Sequence, residues 1–380
     1  MDIDRRLLLA ATLAVPSMST AAPAESAAKS AGAVPLYAAI ALQLTARSVE
    51  QFPDAASART AMFAHIEALY PQMLSAKVFT EQYGGSPVKL IVLPEYLLTS
   101  FPGRISVPDF AAKAAIAPGG PEYEALGKLA SRLGVYVAGN AYETDENFPG
   151  IYFQACFIIA PDGNVVLRYR RLNSMYAITP HDVWDKYLDV YGLDGVFPVA
   201  HTEIGRLAAI ASEEILYPEI ARALALRGAE VFLHSSSEIG SPLSTHKNIA
   251  RQARAIENLA YVISANTAGI SGTAMPLASA DGNSAIIDWK GATLVESNTG
   301  ETFTAATDID ITGLRRARRK PGMTNYLTRQ RLELFSATYA GQVQPANLLL
   351  KDGVAQVPDR EHFQRAQEAV IARLDKAGII

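Results

Sequence analysis

GRLAAIASEEILYPE, residues 205–219, carries a strand, a sharp turn and a helix start in one short run. Leu207 to Ala211 is apolar without interruption and ends at Ser212-Glu213-Glu214. Pro218 suits a first helical turn, where a missing N–H leaves nothing unpaired. Glu219 beside it faces the positive end of the helix dipole. Ile220, Leu224 and neighbouring alanines form one apolar stripe, and Gly228 offers a C-terminal stop. A strand that turns directly into a helix leaves its last residues at the carboxyl edge of a sheet, where α/β proteins bind ligands. That edge receives a hydroxyl and two carboxylates.

The alternation extends in both directions. Upstream, residues 36–45 read as a strand and 57–77 as a helix with apolar side chains at helical spacing. Residues 88–94, VKLIVLP, form a nearly unbroken apolar strand, the pattern of a strand covered on both faces, and end at Glu95. A helix over 122–133 precedes a strand over 135–139, which stops just before Tyr142-Glu143. Residues 152–160 and 165–170 make a hairpin around Pro161-Asp162-Gly163, ending at Arg170-Arg171. Downstream come a strand over 230–234, a helix over 246–259, a strand over 261–265 and a hairpin of 284–288 with 292–296. Strands alternating with helices, with hairpins inserted, give an α/β fold with a mixed sheet. No repeat or linker interrupts residues 33–340, which read as one domain; 341–380, with a helix over 361–377, read as a C-terminal extension.

Composition bounds the function. Hydrophobic residues are 49% of the 380, enough for a sizeable core. A net charge of −4 leaves no footprint for nucleic acid or an anionic membrane. The basic run Arg315 to Lys320 reads as a solvated loop or helix end. Cys156 is the one cysteine, so no internal disulfide forms. In residues 1–30, Arg5-Arg6 precede an apolar run, Leu7 to Val15, and an Ala/Ser/Pro tract containing Ala22-Pro23-Ala24. This reads as a twin-arginine-like export signal with a disordered leader, sending the protein to the periplasm. The run is too short for a permanent span, so no stable membrane insertion is expected. No His/Cys/Asp spacing suits a metal. Gly84-Gly85 and Gly119-Gly120 lack the strand–turn–helix setting of a phosphate loop. No cofactor is expected; the expected partner is a small-molecule substrate.

Four strand ends therefore deliver Glu95, Glu143, Arg171 and Ser212-Glu213-Glu214. Here the chain resembles the nitrilase superfamily, the carbon–nitrogen hydrolases. VLPEY at 92–96 looks like the segment of that family's general-base Glu, and GNAYE at 139–143 like that of its supporting Glu. VVLRYRRLN at 165–173 looks like the segment of the catalytic Lys, and residues 205–233 like that of the nucleophilic Cys. RQARAIENLAYVISANTAG at 251–269 and GNSAIIDWKG at 282–291 match two further stretches. The resemblance implies a four-layer α-β-β-α sandwich. It also implies a homodimer or higher homo-oligomer, with the C-terminal segment at the pairing surface.

The departures bear on chemistry. The nucleophile position falls on Ser212 and the lysine position on Arg171; Cys156 lies on an earlier strand, and Lys186 sits in another context. A hydroxyl needs a well-placed base, no histidine falls at a motif position, and a carboxylate serves poorly near neutrality. Arg171 keeps a charge but does not yield its proton. What remains is an acid-rich pocket in which Glu95 or Glu143 moves a proton and Arg171 steadies negative charge, with Ser212 and Glu213 completing the catalytic set. That suits lyase-type chemistry on a small, phenolic molecule, with Tyr96, Glu214 and Tyr217 as substrate contacts. Two alternatives stay open: an amidase that uses Ser212, and a catalytically silent binding protein.

Overall fold

The computed structural model describes residues 33–103, 105–238, 245–277, 282–341 and 343–380. The export segment expected over 1–30 lies outside them. Strand β1 (Tyr37–Gln43) continues in the short β2 (Thr45–Arg47) and leads into helix α1 (Ala55–Gly84), β3 (Val88–Val92), α2 (Val107–Ala114) and α3 (Pro121–Leu133). Next come β4 (Tyr136–Thr144), β5 (Tyr152–Ile159), β6 (Val165–Arg170) and α4 (Trp184–Val196). The second half holds β7 (Ala200–Thr202), β8 (Gly205–Ala211), α5 (Pro218–Leu226), β9 (Val231–Ser236), α6 (His246–Asn258) and β10 (Tyr261–Asn266). Then follow β11 (Gly269–Ser271), β12 (Ala285–Ile287), β13 (Thr293–Glu296), β14 (Phe303–Ile309) and α7 (Ile311–Arg319). The C-terminal part carries α8 (Ser336–Tyr339), β15 (Leu350–Lys351), β16 (Val354–Ala355) and α9 (His362–Lys376).

Two six-stranded mixed sheets result, ordered β14-β1-β3-β4-β5-β6 and β13-β12-β10-β9-β8-β7. In the first, β1, β3 and β4 run parallel; in the second, β8, β9 and β10 do. The strand period of two sorts each side chain to a face. Tyr37, Ala39 and Ala41 of β1 point inward, joining Leu207, Leu233 and Ile263 of the second sheet. Ala38, Ile40 and Leu42 point outward onto Met62, Ile66 and Leu69 of α1 and Tyr123 and Leu126 of α3. On the far side Ile220 and Leu224 of α5 and Ala250 and Ala255 of α6 cover the second sheet. The architecture is the α-β-β-α sandwich. Leu349 and Ala355 join Phe148, Phe153, Val183 and Tyr187 in a satellite core beside α4.

Two expectations change. The strand read as ending at residue 139 runs on to Thr144, pairing Glu143 with Phe153 across β5. The basic run is solvated only in part: Arg316, Arg319 and Lys320 are exposed, but in α7 Arg315 pairs with Glu230, and Arg318 donates to the carbonyls of Ala229 and Leu259. Arg315 on the Glu230 carboxylate, and Arg318 on backbone acceptors that would otherwise lose water on burial, pin the helix beside β9 and α6.

Candidate active site

Ser212 follows β8 directly and adopts φ 47, the left-handed region. A residue with a Cβ pays roughly 1–2 kcal/mol there, so neighbours must hold it. Glu214, fully buried, does so with both oxygens. Its Oε1 accepts from the backbone N–H groups of Leu172 (2.6 Å) and Asn173 (2.9 Å). Its Oε2 accepts from the Tyr169 hydroxyl (2.7 Å) and the Ala211 N–H (3.3 Å). Burial pushes the Glu214 carboxyl up to about 7, against the pull of Arg171 and these donors. His234, also fully buried, places Nε2 at 2.8 Å from the Ser212 carbonyl and Nδ1 at 2.8 Å from the Ser264 hydroxyl. A carbonyl only accepts, so Nε2 carries the proton and Nδ1 accepts from Ser264. Burial drives His234 down to about 3, which keeps the ring neutral.

Glu95 stands just beyond β3. Its N–H donates to the Ser236 carbonyl (3.2 Å), and its carbonyl accepts from the Thr267 hydroxyl (2.8 Å), so the end of β9 and the segment after β10 fix it. Tyr96, at φ 65, turns the chain away. Glu95 Oε1 accepts from Gln154 Nε2 (2.8 Å) and Arg171 Nη1 (3.5 Å), while Oε2 is buried without a hydrogen-bond partner among the described residues. Arg171 donates from Nη1 to Gln154 Oε1 (2.7 Å), from Nε to the Asn173 carbonyl (2.7 Å) and from Nη2 to Glu213. Burial opposes the guanidinium charge, but Glu95, Tyr96 and Glu213 outweigh it and hold the proton more firmly than usual. The Glu213 side chain is 35% exposed, so the cluster opens to solvent there. Tyr217 is half-exposed close by, its hydroxyl raised by burial and by Glu213.

Glu95, Arg171, Glu213, Glu214 and Ser212 thus meet at one end of the two sheets. Glu143 does not join them. Because β4 continues past residue 139, alternation turns Glu143 to the outer face. There it accepts from Tyr123 of α3 and from Arg168 Nε (3.2 Å), with Arg170 Nε at 4.0 Å. Arg171 therefore neutralises Glu95 and Glu213, not Glu95 and Glu143. Glu214 is tied to backbone and Tyr169 as the anchor of the turn, not as an open substrate contact. Tyr96 sits against Glu95, and burial, then Glu95, raises its hydroxyl. Cys156 lies on β5, buried between the sheets; its Sγ accepts from Asn140 Nδ2 at 3.6 Å, and burial pushes the thiol up to about 12. Lys186 reaches over the Phe148 ring at 5.3 Å, in the satellite core.

Sequence reasoning missed Gln154, Asn140 and Lys247. Lys247, in the first turn of α6, donates from Nζ to Ser212 Oγ (3.3 Å) and to the Ser237 carbonyl (2.6 Å), and lies 3.7 Å from Glu238 Oε2. It precedes the matched 251–269 stretch and stands 35 residues from Ser212, so no local pattern joins the two.

The carbon–nitrogen hydrolase family model matches residues 44–319. The chain belongs to the carbon–nitrogen hydrolase family. A Schizosaccharomyces pombe protein named a probable nitrilase is 27% identical over 52% of this chain and 68% of its own length. An omega-amidase of Bos taurus is 23% identical over 61% of this chain and 80% of its own. A formamidase of Bacillus cereus is 25% identical over 60% of this chain and 63% of its own. Among solved structures, Nit3 of Saccharomyces cerevisiae superposes with a TM-score of 0.58 at 17% identity, covering 77% of this chain and 96% of its own. The amidase of Nesterenkonia sp. AN1 reaches 0.54 at 17% identity, covering 81% and 100%. These structures share the fold. On this carbon–nitrogen hydrolase fold the described residues hold no group of three or more His, Cys, Asp or Glu placed for a metal. No helix among them is long and apolar enough to cross a membrane.

Proposed function

We propose that this protein hydrolyses carbon–nitrogen bonds of small amides with Ser212 as the attacking group. The observation that carries this is the left-handed backbone at Ser212. A non-glycine residue is held in that region by four donors on Glu214 and a buried histidine, and such strain gathers where a side chain must be presented at a reactive angle. The resemblance to the family puts the nucleophile position at Ser212, and Cys156 is buried between the sheets with its thiol pushed up to about 12. Arg171, fixed by Glu95, Gln154 and Glu213, supplies a preset positive charge for a developing oxyanion. The test is release of ammonia or amine from a panel of small aliphatic and aromatic amides. Loss of turnover in Ser212→Ala is expected; an unchanged rate sinks the reading.

A second reading has its own support. Glu95 Oε2 is buried without a hydrogen-bond partner beside a guanidinium. This favours proton transfer on a substrate that generates a phenolate or carboxylate, the lyase-type reaction. Turnover that survives Ser212→Ala but vanishes in Glu95→Gln selects it. Export to the periplasm and assembly as a homodimer complete the proposal. Fractionation of cells expressing the full chain, and sedimentation of the purified protein, test these two points.

A further inference from the structure

We propose that Lys247 is the proton carrier for Ser212, a catalytic residue that no motif position supplies. The inference rests on the reading of Ser212 as nucleophile. Nζ lies 3.3 Å from Ser212 Oγ, the reacting atom. The Ser237 carbonyl at 2.6 Å fixes the amine in place, and Glu238 Oε2 stands 3.7 Å away. His234, on the strand under the turn, feels the charges of both Lys247 and Arg251, one turn along α6. The Lys247 side chain is 15% exposed, so it keeps a path to solvent and is still held. Arg171 cannot do this work: its guanidinium does not release a proton, and its donors already serve Glu95, Gln154, Asn173 and Glu213.

The cycle balances with water as the only co-reactant. Lys247 first gives one proton to solvent. Ser212 Oγ then forms a bond to the acyl carbon, its proton passes to Nζ, and the carbonyl electron pair moves onto oxygen. As that pair returns, the C–N bond breaks and Nζ hands the proton to the departing nitrogen, which leaves as an amine. Water attacks the resulting ester and gives its proton to Nζ. Nζ returns it to Oγ as the acid departs.

The test uses the purified full chain and a fluorophosphonate probe, with Ser212 labelling followed by mass spectrometry from pH 6 to 10, alongside amide turnover. Lys247→Met and Lys247→Gln are expected to slow both by about 10²–10⁴-fold, the usual contribution of a positioned base, and to flatten the pH profile. Lys247→Arg keeps the charge without a transferable proton and is expected to fail as well. Ser212 labelling at the parent rate in Lys247→Met, or full rescue by Lys247→Arg, overturns the proposal while leaving Ser212 as nucleophile. Absence of label on Ser212 in the parent protein removes both readings together.

Discussion

Ser212 sits where its backbone is least comfortable, so a glycine there relieves strain while removing the hydroxyl. Glycine adopts φ 47 freely but loses more chain entropy on folding. The two effects nearly offset. Ser212→Gly should keep its unfolding free energy within about 1 kcal/mol of the parent, by urea titration, while turnover disappears. A large loss of stability would mean the hydroxyl itself holds the turn. Arg171 is the opposite case, because Glu95, Gln154, Asn173 and Glu213 all meet its planar fork. Arg171→Met leaves Glu95 buried opposite no charge and should cost about 3–5 kcal/mol. Arg171→Lys restores charge but not the fork, so it should recover part of that stability and little activity.

At the scale of strands, parity decides which groups enter the site. In β4, Asn140 faces the inter-sheet side and Cys156, whereas Glu143 faces α3. Glu143→Gln should therefore act on packing, where Tyr123 and Arg168 lose a charged acceptor. A drop of about 1–3 kcal/mol with unchanged kcat is expected; a collapse of kcat in a folded protein would contradict this placement. β9 carries a matching division along its length. Ser235 and Ser236 at its carboxyl end border the site, while Glu230 just before its start binds Arg206 and Arg315. Glu230→Ala should lower stability by about 3–5 kcal/mol, measured by denaturant midpoint, without altering kcat/KM in the folded fraction.

Across the whole molecule two buried groups set opposite slopes of stability against pH. His234 falls from its ordinary 6.5 to about 3 in the fold. Its contribution is present above 6.5 and is lost as pH falls toward 3. Glu214 rises from 4.5 to about 7. Its contribution is present below 4.5 and is lost as pH rises through 7. Thermal midpoints of the parent relative to Glu214→Gln should accordingly decline from pH 4.5 to 7. Relative to His234→Gln they should decline from pH 6.5 downward. A flat difference curve for either variant would show that the group titrates alike in the folded and unfolded chain.

Much of this is written locally. The apolar run before Ser212, the Pro218 start of α5, the hairpin at Pro161-Asp162-Gly163 and the helix over His246–Asn258 each depend on neighbours within a few residues, and all were readable. So were Glu95, Arg171 and Ser212-Glu213-Glu214 as strand-end groups, because a strand's end fixes where its last side chains go. The failures have one physical form. An error in the end of β4 turned Glu143 to the wrong face, since a period of two makes side-chain direction depend on strand extent. Arg315 and Arg318 of α7 looked solvated because their acceptors beside β9 and α6 are far away in the chain. The sequence by itself determined an α/β fold with a mixed sheet and the residues presented at its carboxyl edge, through periodicity and turn chemistry, and the sandwich through its likeness to a family. Only the tertiary structure decided that Lys247 meets the Ser212 hydroxyl, that Arg171 bridges Glu95 and Glu213, and that Glu143 looks outward. Contacts between segments 35 to 76 residues apart arise from sheet packing and leave no local pattern.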